Sequence, residues 1–242
     1  MKKINTILAA LSALLMLTVT SANSVEFKAG VSANGMAAYA NASETLKDSG
    51  AVSNQEAILA TSYASIFAEV SGDEMMGLGI GISYAPEVAD LNKETTTINQ
   101  CNDQTGGNTN AICVNRTGAS ADSGDQVVSG KIQDLMSIYV TFPIGDSGAF
   151  IKAGYNQATL VTEENLVTGS KYENIDLTGT QVGGGYEGSL GDMAFWRAEG
   201  ALQMWDDIAA NGSEAGGTSG STNRVEAELG SVTGALSVGM KF

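Results

Sequence analysis

Large apolar side chains occupy every second position of residues 76–85, MGLGIGISYA. Met76, Leu78, Ile80, Ile82 and Tyr84 alternate with Gly77, Gly79, Gly81, Ser83 and Ala85. A period of two is the signature of a β-strand. Glycine is a poor strand former, since it loses more backbone entropy on ordering and offers nothing to pack. The pattern calls for surroundings that want one face of the strand apolar and the other nearly bare.

The same alternation recurs in seven further stretches: VEFKAGVSAN (25–34), ILATSYASIFAEV (58–70), IQDLMSIYVTF (132–142), AFIKAGYNQA (149–158), one ending TQVGGGYEG (180–188), MAFWRAEGALQMW (193–205) and VTGALSVGMKF (232–242). SGDEM, PIGDSG and SLGD join the second stretch to the third, the fourth to the fifth and the sixth to the seventh, and all have tight-turn compositions. The other connections cross long polar segments, roughly 41–55, 86–130, 159–172 and 206–223. Short and long connections in alternation predict an all-β fold, an eight-stranded antiparallel transmembrane β-barrel with short periplasmic turns and long extracellular loops.

Such a barrel accounts for both faces. The outward face meets lipid and must be apolar, while the ring satisfies the backbone from strand to strand. Eight strands enclose little room, so glycine in the third strand is expected to make space for an inward Phe67, Tyr139, Phe150 or Trp205. With both chain ends on the periplasmic side, Phe27, Phe142, Tyr186, Trp196 and Phe242 form an outward aromatic girdle, and Tyr84 falls at the opposite rim. Inward parity gathers Glu26, Lys28, Glu69, Lys152, Glu187, Arg197 and Glu199 near the periplasmic strand ends. Unpaired ions there would be costly, so they are expected to pair as a polar plug that fills and fixes the barrel. A sharper reading makes them a gate that opens when pairs exchange. Acids outnumber bases in this set, which leaves part of the pairing without a partner.

Met1-Lys2-Lys3, the apolar run from Ile7 to Leu17 and the small residues Thr20-Ser21-Ala22 read as a secretory signal peptide over residues 1–22, leaving one barrel domain over 23–242. The apolar run is too short to cross a bilayer as a helix. A net charge of −15, made more acidic still when Lys2 and Lys3 are removed, argues against a nucleic-acid partner. The chain has no histidine, and no metal or cofactor is expected. Cys101 and Cys113 bracket a polar segment, CNDQTGGNTNAIC, and in an oxidising periplasm they are expected to close a disulfide. GLGIG (77–81) and GGGYEG (183–188) are not nucleotide loops, because no helix pattern follows and GKS or GKT is absent.

Phe150-Ile151-Lys152-Ala153-Gly154-Tyr155, the run VGGGYEGSLGDMAFWRAEGALQMWDD (182–207) and the closing VGMKF together resemble the small outer-membrane barrels of the OmpA type, in particular the opacity-protein-like family. The resemblance implies residence in the outer membrane of a Gram-negative bacterium, among lipid and lipopolysaccharide. It also implies insertion by the barrel-assembly machinery, which would read Val238, Met240 and Phe242, and a monomer is expected. Gly200 departs from the family, which carries an aromatic after Arg-x-Glu. Small barrels that are enzymes resemble one another in using a histidine base, which this chain lacks, so catalysis is not expected. The expected role is structural and surface-interacting, with loops displayed on a rigid barrel. The alternative is a narrow channel for ions or small solutes, gated by the interior charges.

Overall fold

The computed structural model describes residues 25–45, 50–72, 77–101, 121–165, 170–214 and 223–242. Within them the elements are β1 (Val25–Thr45), β2 (Val52–Gly72), β3 (Gly79–Cys101), β4 (Ala121–Pro143), β5 (Ala149–Asn165), β6 (Ser170–Lys171), β7 (Ile175–Leu190), β8 (Ala194–Trp205), β9 (Ile208–Asn211), β10 (Ser213–Glu214) and β11 (Arg224–Lys241). Eight long strands follow one another in the order β1, β2, β3, β4, β5, β7, β8, β11, and β1 pairs back onto β11, so the sheet closes into a ring. After β8 breaks at Asp206-Asp207 the chain resumes as β9 along the same neighbour, β11. The pair β6 and β10 stands outside the ring. The eight-stranded antiparallel barrel is the fold that the alternation predicts.

Closure runs from Lys28 opposite Lys241 to Thr45 opposite Arg224. It is finished by two backbone hydrogen bonds between Phe27 and Phe242, of 3.1 and 2.8 Å. A closed ring has no free edge, which removes the unpaired donors and acceptors that an open sheet would expose. Both described chain ends and the PIGDSG and SLGD turns share one end of the barrel, called here the turn end. Gly145, Gly148 and Gly191 take positive φ angles of 57°, 83° and 80° in those turns, where a side chain would be strained.

At the opposite, arm end the strands run well past the alternating stretches. β3 reaches Cys101 and β4 starts at Ala121, so much of the segment expected as a loop over 86–130 is a paired two-stranded arm. β1 likewise continues to Thr45. Beyond the barrel wall neither face needs an apolar stripe, so the alternation lapses while the backbone ladder, which any residue but proline can join, persists.

The ring is uneven in one place. β2 and β3 pair only from Ile66 opposite Tyr84 to Ser71 opposite Gly79. Pro86 follows, with no N–H to give to a ladder, and β3 then passes through two register shifts, at Glu87/Ala89 and Leu91/Glu94. On the arm side of Tyr84 the described part of β2 pairs with β1 alone and that of β3 with β4 alone. The Thr61 hydroxyl donates to the Val88 carbonyl at 3.0 Å across this parting.

Outward residues such as Val31, Ile66, Ile138 and Leu236 are 48–68% exposed, whereas inward Tyr139, Phe195 and Glu69 are at most 2% exposed. A continuous apolar belt of that kind wants hydrocarbon rather than water around it. Inside, glycines and aromatics pair directly across neighbouring strands: Gly30 with Phe67, Gly81 with Tyr139, Gly185 with Phe150 and Gly239 with Phe195. A Cβ on any of these glycines would overlap the partner's ring. The bare face of the third strand is therefore one case of a rule followed around the barrel wall. Of the four aromatics expected over that strand, Tyr139 lies on Gly81, and Gly79 makes room for Thr141 and the Glu69 carboxylate. Phe67 and Phe150 lie on glycines of β1 and β7 instead, because each ring covers the residue directly opposite it. Trp205 sits nearer the arm end, where its indole N–H donates to Ser231 at 3.2 Å.

Candidate functional site

Inward positions at the turn end carry the ions. The Arg197 guanidinium on β8 grips Glu69 on β2 through two hydrogen bonds, Nη1 to Oε2 at 2.9 Å and Nη2 to Oε1 at 3.0 Å. It also donates to Glu187 Oε2 on β7, from Nη2 at 2.6 Å and from Nε at 3.1 Å. Lys28 on β1 reaches Glu187 at 2.9 Å, Glu26 at 3.2 Å and Glu69 at 4.0 Å. Bidentate, charge-assisted contacts of this kind are the strong members of their class and fix geometry as well as energy.

The balancing cation is Lys241, which lies 3.1 Å from Glu187 and 4.0 Å from Glu26. With it, Glu26, Glu69 and Glu187 meet Lys28, Arg197 and Lys241, and the layer is neutral. Sequence reasoning missed Lys241 although the signal was present: Val238, Met240 and Phe242 point outward, so Lys241 between them points in. The aromatics complete the surroundings. The Arg197 guanidinium carbon is 5.5, 5.0 and 5.6 Å from the ring centres of Phe67, Phe150 and Phe195, within cation–π range.

Lys152 and Glu199 do not join this layer. They pair with each other at 3.2 Å, with Lys152 Nζ 4.0 Å from the Tyr139 ring centre. They belong to a polar level deeper in the barrel, where Ser32 and Ser237 share a hydrogen bond of 2.8 Å and Ser231 donates to Gln203 at 2.8 Å. A third level follows toward the arm end, and it is apolar. Met36, Ala85, Val88, Leu135, Ala158, Leu177 and Ile208 form one buried cluster against which Tyr63, Leu160 and Trp205 pack. This level had no counterpart in the sequence reading, which expected a plug of charges near the periplasmic strand ends and inward aromatics over glycines. Its members occupy inward positions at and beyond the ends of the alternating stretches, where parity was no longer followed. The interior is thus ionic, polar and apolar in turn.

Phe27, Phe142, Tyr186, Trp196 and Phe242 lie on the outward face at the turn end, where Phe27 and Phe242 stand 6.0 Å apart and Tyr186 and Trp196 5.7 Å apart between ring centres. Tyr84 is outward on the rung that runs through Met136 to Gln157, where the outward face turns polar, and its hydroxyl donates to Asp134 at 2.7 Å. Val238, Met240 and Phe242 share the outward face of β11 and are 44–69% exposed. Cys113 lies outside the described residues, and with it the expected pairing to Cys101.

At the arm end Glu44 of β1 accepts hydrogen bonds from Tyr172 at 3.4 Å and Asn223 at 2.7 Å, tying two connecting segments to the first strand.

No family model and no curated protein sequence matches the chain. Among solved structures, its fold is similar to that of the outer membrane protein OprG from Pseudomonas aeruginosa, with a TM-score of 0.50 at 10% identity over 90% of this chain and 95% of that one. It also matches the outer membrane protease OmpT from Escherichia coli, with a TM-score of 0.41 at 10% identity over 92% and 99% of the two chains. Ail, the attachment invasion locus protein of Yersinia pestis, matches with a TM-score of 0.36 at 11% identity over 88% and 99%. Identity this low speaks to architecture, and the architecture is that of a Gram-negative outer-membrane β-barrel.

Proposed function

We propose that the protein resides in the outer membrane as a non-conducting scaffold, its barrel filled by its own side chains and its arms and connecting segments displayed to the medium. The observation that carries this reading is the neutral ion-pair layer across the turn end, with Arg197 held by two carboxylates and ringed by three aromatics. Ions this well partnered leave no charge to attract a passing solute, and the apolar level beyond them would resist wetting. In this reading the turn end faces the periplasm, lipid and lipopolysaccharide cover the apolar belt, and the barrel-assembly machinery recognises the outward Val238, Met240 and Phe242. The protein acts alone as a monomer and without catalysis. The ion-pair layer is the plug. Proteoliposomes holding the folded protein should take up small sugars no faster than protein-free vesicles after an osmotic shock, and uptake that scales with protein density would refute the proposal.

The runner-up is a narrow passage for ions or small solutes. What favours it is an open pocket of about 400 Å3 on the turn-end side of the ions, lined by Lys28, Glu69 and Arg197, and a smaller polar cavity on their far side. Exchange of Arg197 between carboxylates would have to join the two. The same uptake assay separates the readings.

A further inference from the structure

The cavity on the far side of the ions measures about 50 Å3 and is lined by Ser83, Ser137, Lys152, Gln181, Glu199 and Gln203 among others. Lys152 and Glu199 form an ion pair there, yet their side chains keep 14% and 12% of their surface although they point into the barrel. Gln181 lines the same space with its Nε2 lacking any hydrogen-bond partner, in a residue only 7% exposed. Asn156 stands diagonally beside it on β5, cross-strand from Ser137, fully buried and with both Oδ1 and Nδ2 unpartnered. Burying an amide without a partner is costly, and such groups in folded proteins are met by protein or by ordered water.

We infer that this cavity is a hydration site holding on the order of three water molecules, since one water needs roughly 10–15 Å3 of such space. The waters accept from Gln181 Nε2 and bridge to the Lys152–Glu199 pair, and the one next to Gln181 meets the Asn156 amide, which lies behind Gln181 and Ser137 rather than on the lining itself. An ion is a poor occupant, because lysine and glutamate already balance and an added charge would sit unpaired in a barrel interior. Hydration also separates the two sets of ions by character: Arg197 and Glu69 hold each other through two direct hydrogen bonds, while the Lys152–Glu199 pair is solvated by the enclosed water. The site lies between the ionic and apolar levels, so water held there exchanges slowly with bulk.

The test is oxygen-17 magnetic relaxation dispersion on the folded protein in detergent micelles, which counts long-lived waters without interference from labile protons. The wild-type chain should show a dispersion step worth about three waters, and Gln181→Met and Asn156→Leu should each lower it by at least one. Folding is checked by the heat-modifiable gel shift. No dispersion step in the folded wild type would overturn the inference, as would a step unchanged in whichever variants fold. Neither outcome bears on whether the barrel conducts.

Discussion

At the scale of single residues, the structure turns on pairs that satisfy each other. Arg197 and Glu69 are almost wholly buried and hydrogen-bonded twice, so removing one partner strands the other's charge away from water. Arg197→Met is expected to lower unfolding stability by about 3–5 kcal/mol, measured by urea denaturation of the protein folded into lipid bilayers. A double-mutant cycle with Glu69→Gln should reveal coupling of about 1–3 kcal/mol. Gly81 works by what it lacks: Gly81→Leu would drive a side chain into the Tyr139 ring and is expected to cost about 1–3 kcal/mol, as overpacking does. Tyr139→Ser in the same chain should restore part of that loss. The expected charged residues were readable by parity because each lies inside an alternating stretch. The division into a locked set and a separate Lys152–Glu199 pair was not, since the depth of a side chain depends on strand stagger, which no single strand encodes. Lys241 was overlooked because β11 was read for its apolar face.

Elements behave according to which neighbours they keep. In an antiparallel sheet successive N–H groups point to opposite sides, so a strand with one partner protects only alternate amides. Hydrogen exchange on β2 should therefore show protection at most positions from Ile66 to Ser71, where both β1 and β3 are paired, and at every second position from Val52 to Ser65, where β1 alone is. Uniform protection along the whole strand would contradict the parting at Pro86. That parting was not legible in the sequence, because Pro86 fell within a segment expected as a loop, where a proline is unremarkable. The strand cores and the tight turns were legible, since lipid on one face forces a period of two and a tight turn forces glycine. The arms were not, because nothing outside a membrane enforces alternation.

For the molecule as a whole, closure joins the first strand to the last, and the ion-pair layer spans the same seam through Glu26 and Lys28 on β1 and Lys241 on β11. Deleting Phe242 removes both backbone bonds to Phe27 and an exposed outward aromatic. The yield of heat-modifiable protein in the outer membrane should fall several-fold, whereas an unchanged yield would remove the C-terminal pattern from the account. The central claim is the one proposed above, that three levels of ions, polar groups and apolar side chains leave the interior without a continuous water path. Single-channel recording in a planar bilayer tests it most directly, using protein whose insertion is confirmed by the heat-modifiable band. A filled barrel predicts an electrically silent membrane at all protein densities. Steady openings whose size changes when Arg197 or Lys152 is neutralised would contradict it and make the ion-pair layer a gate.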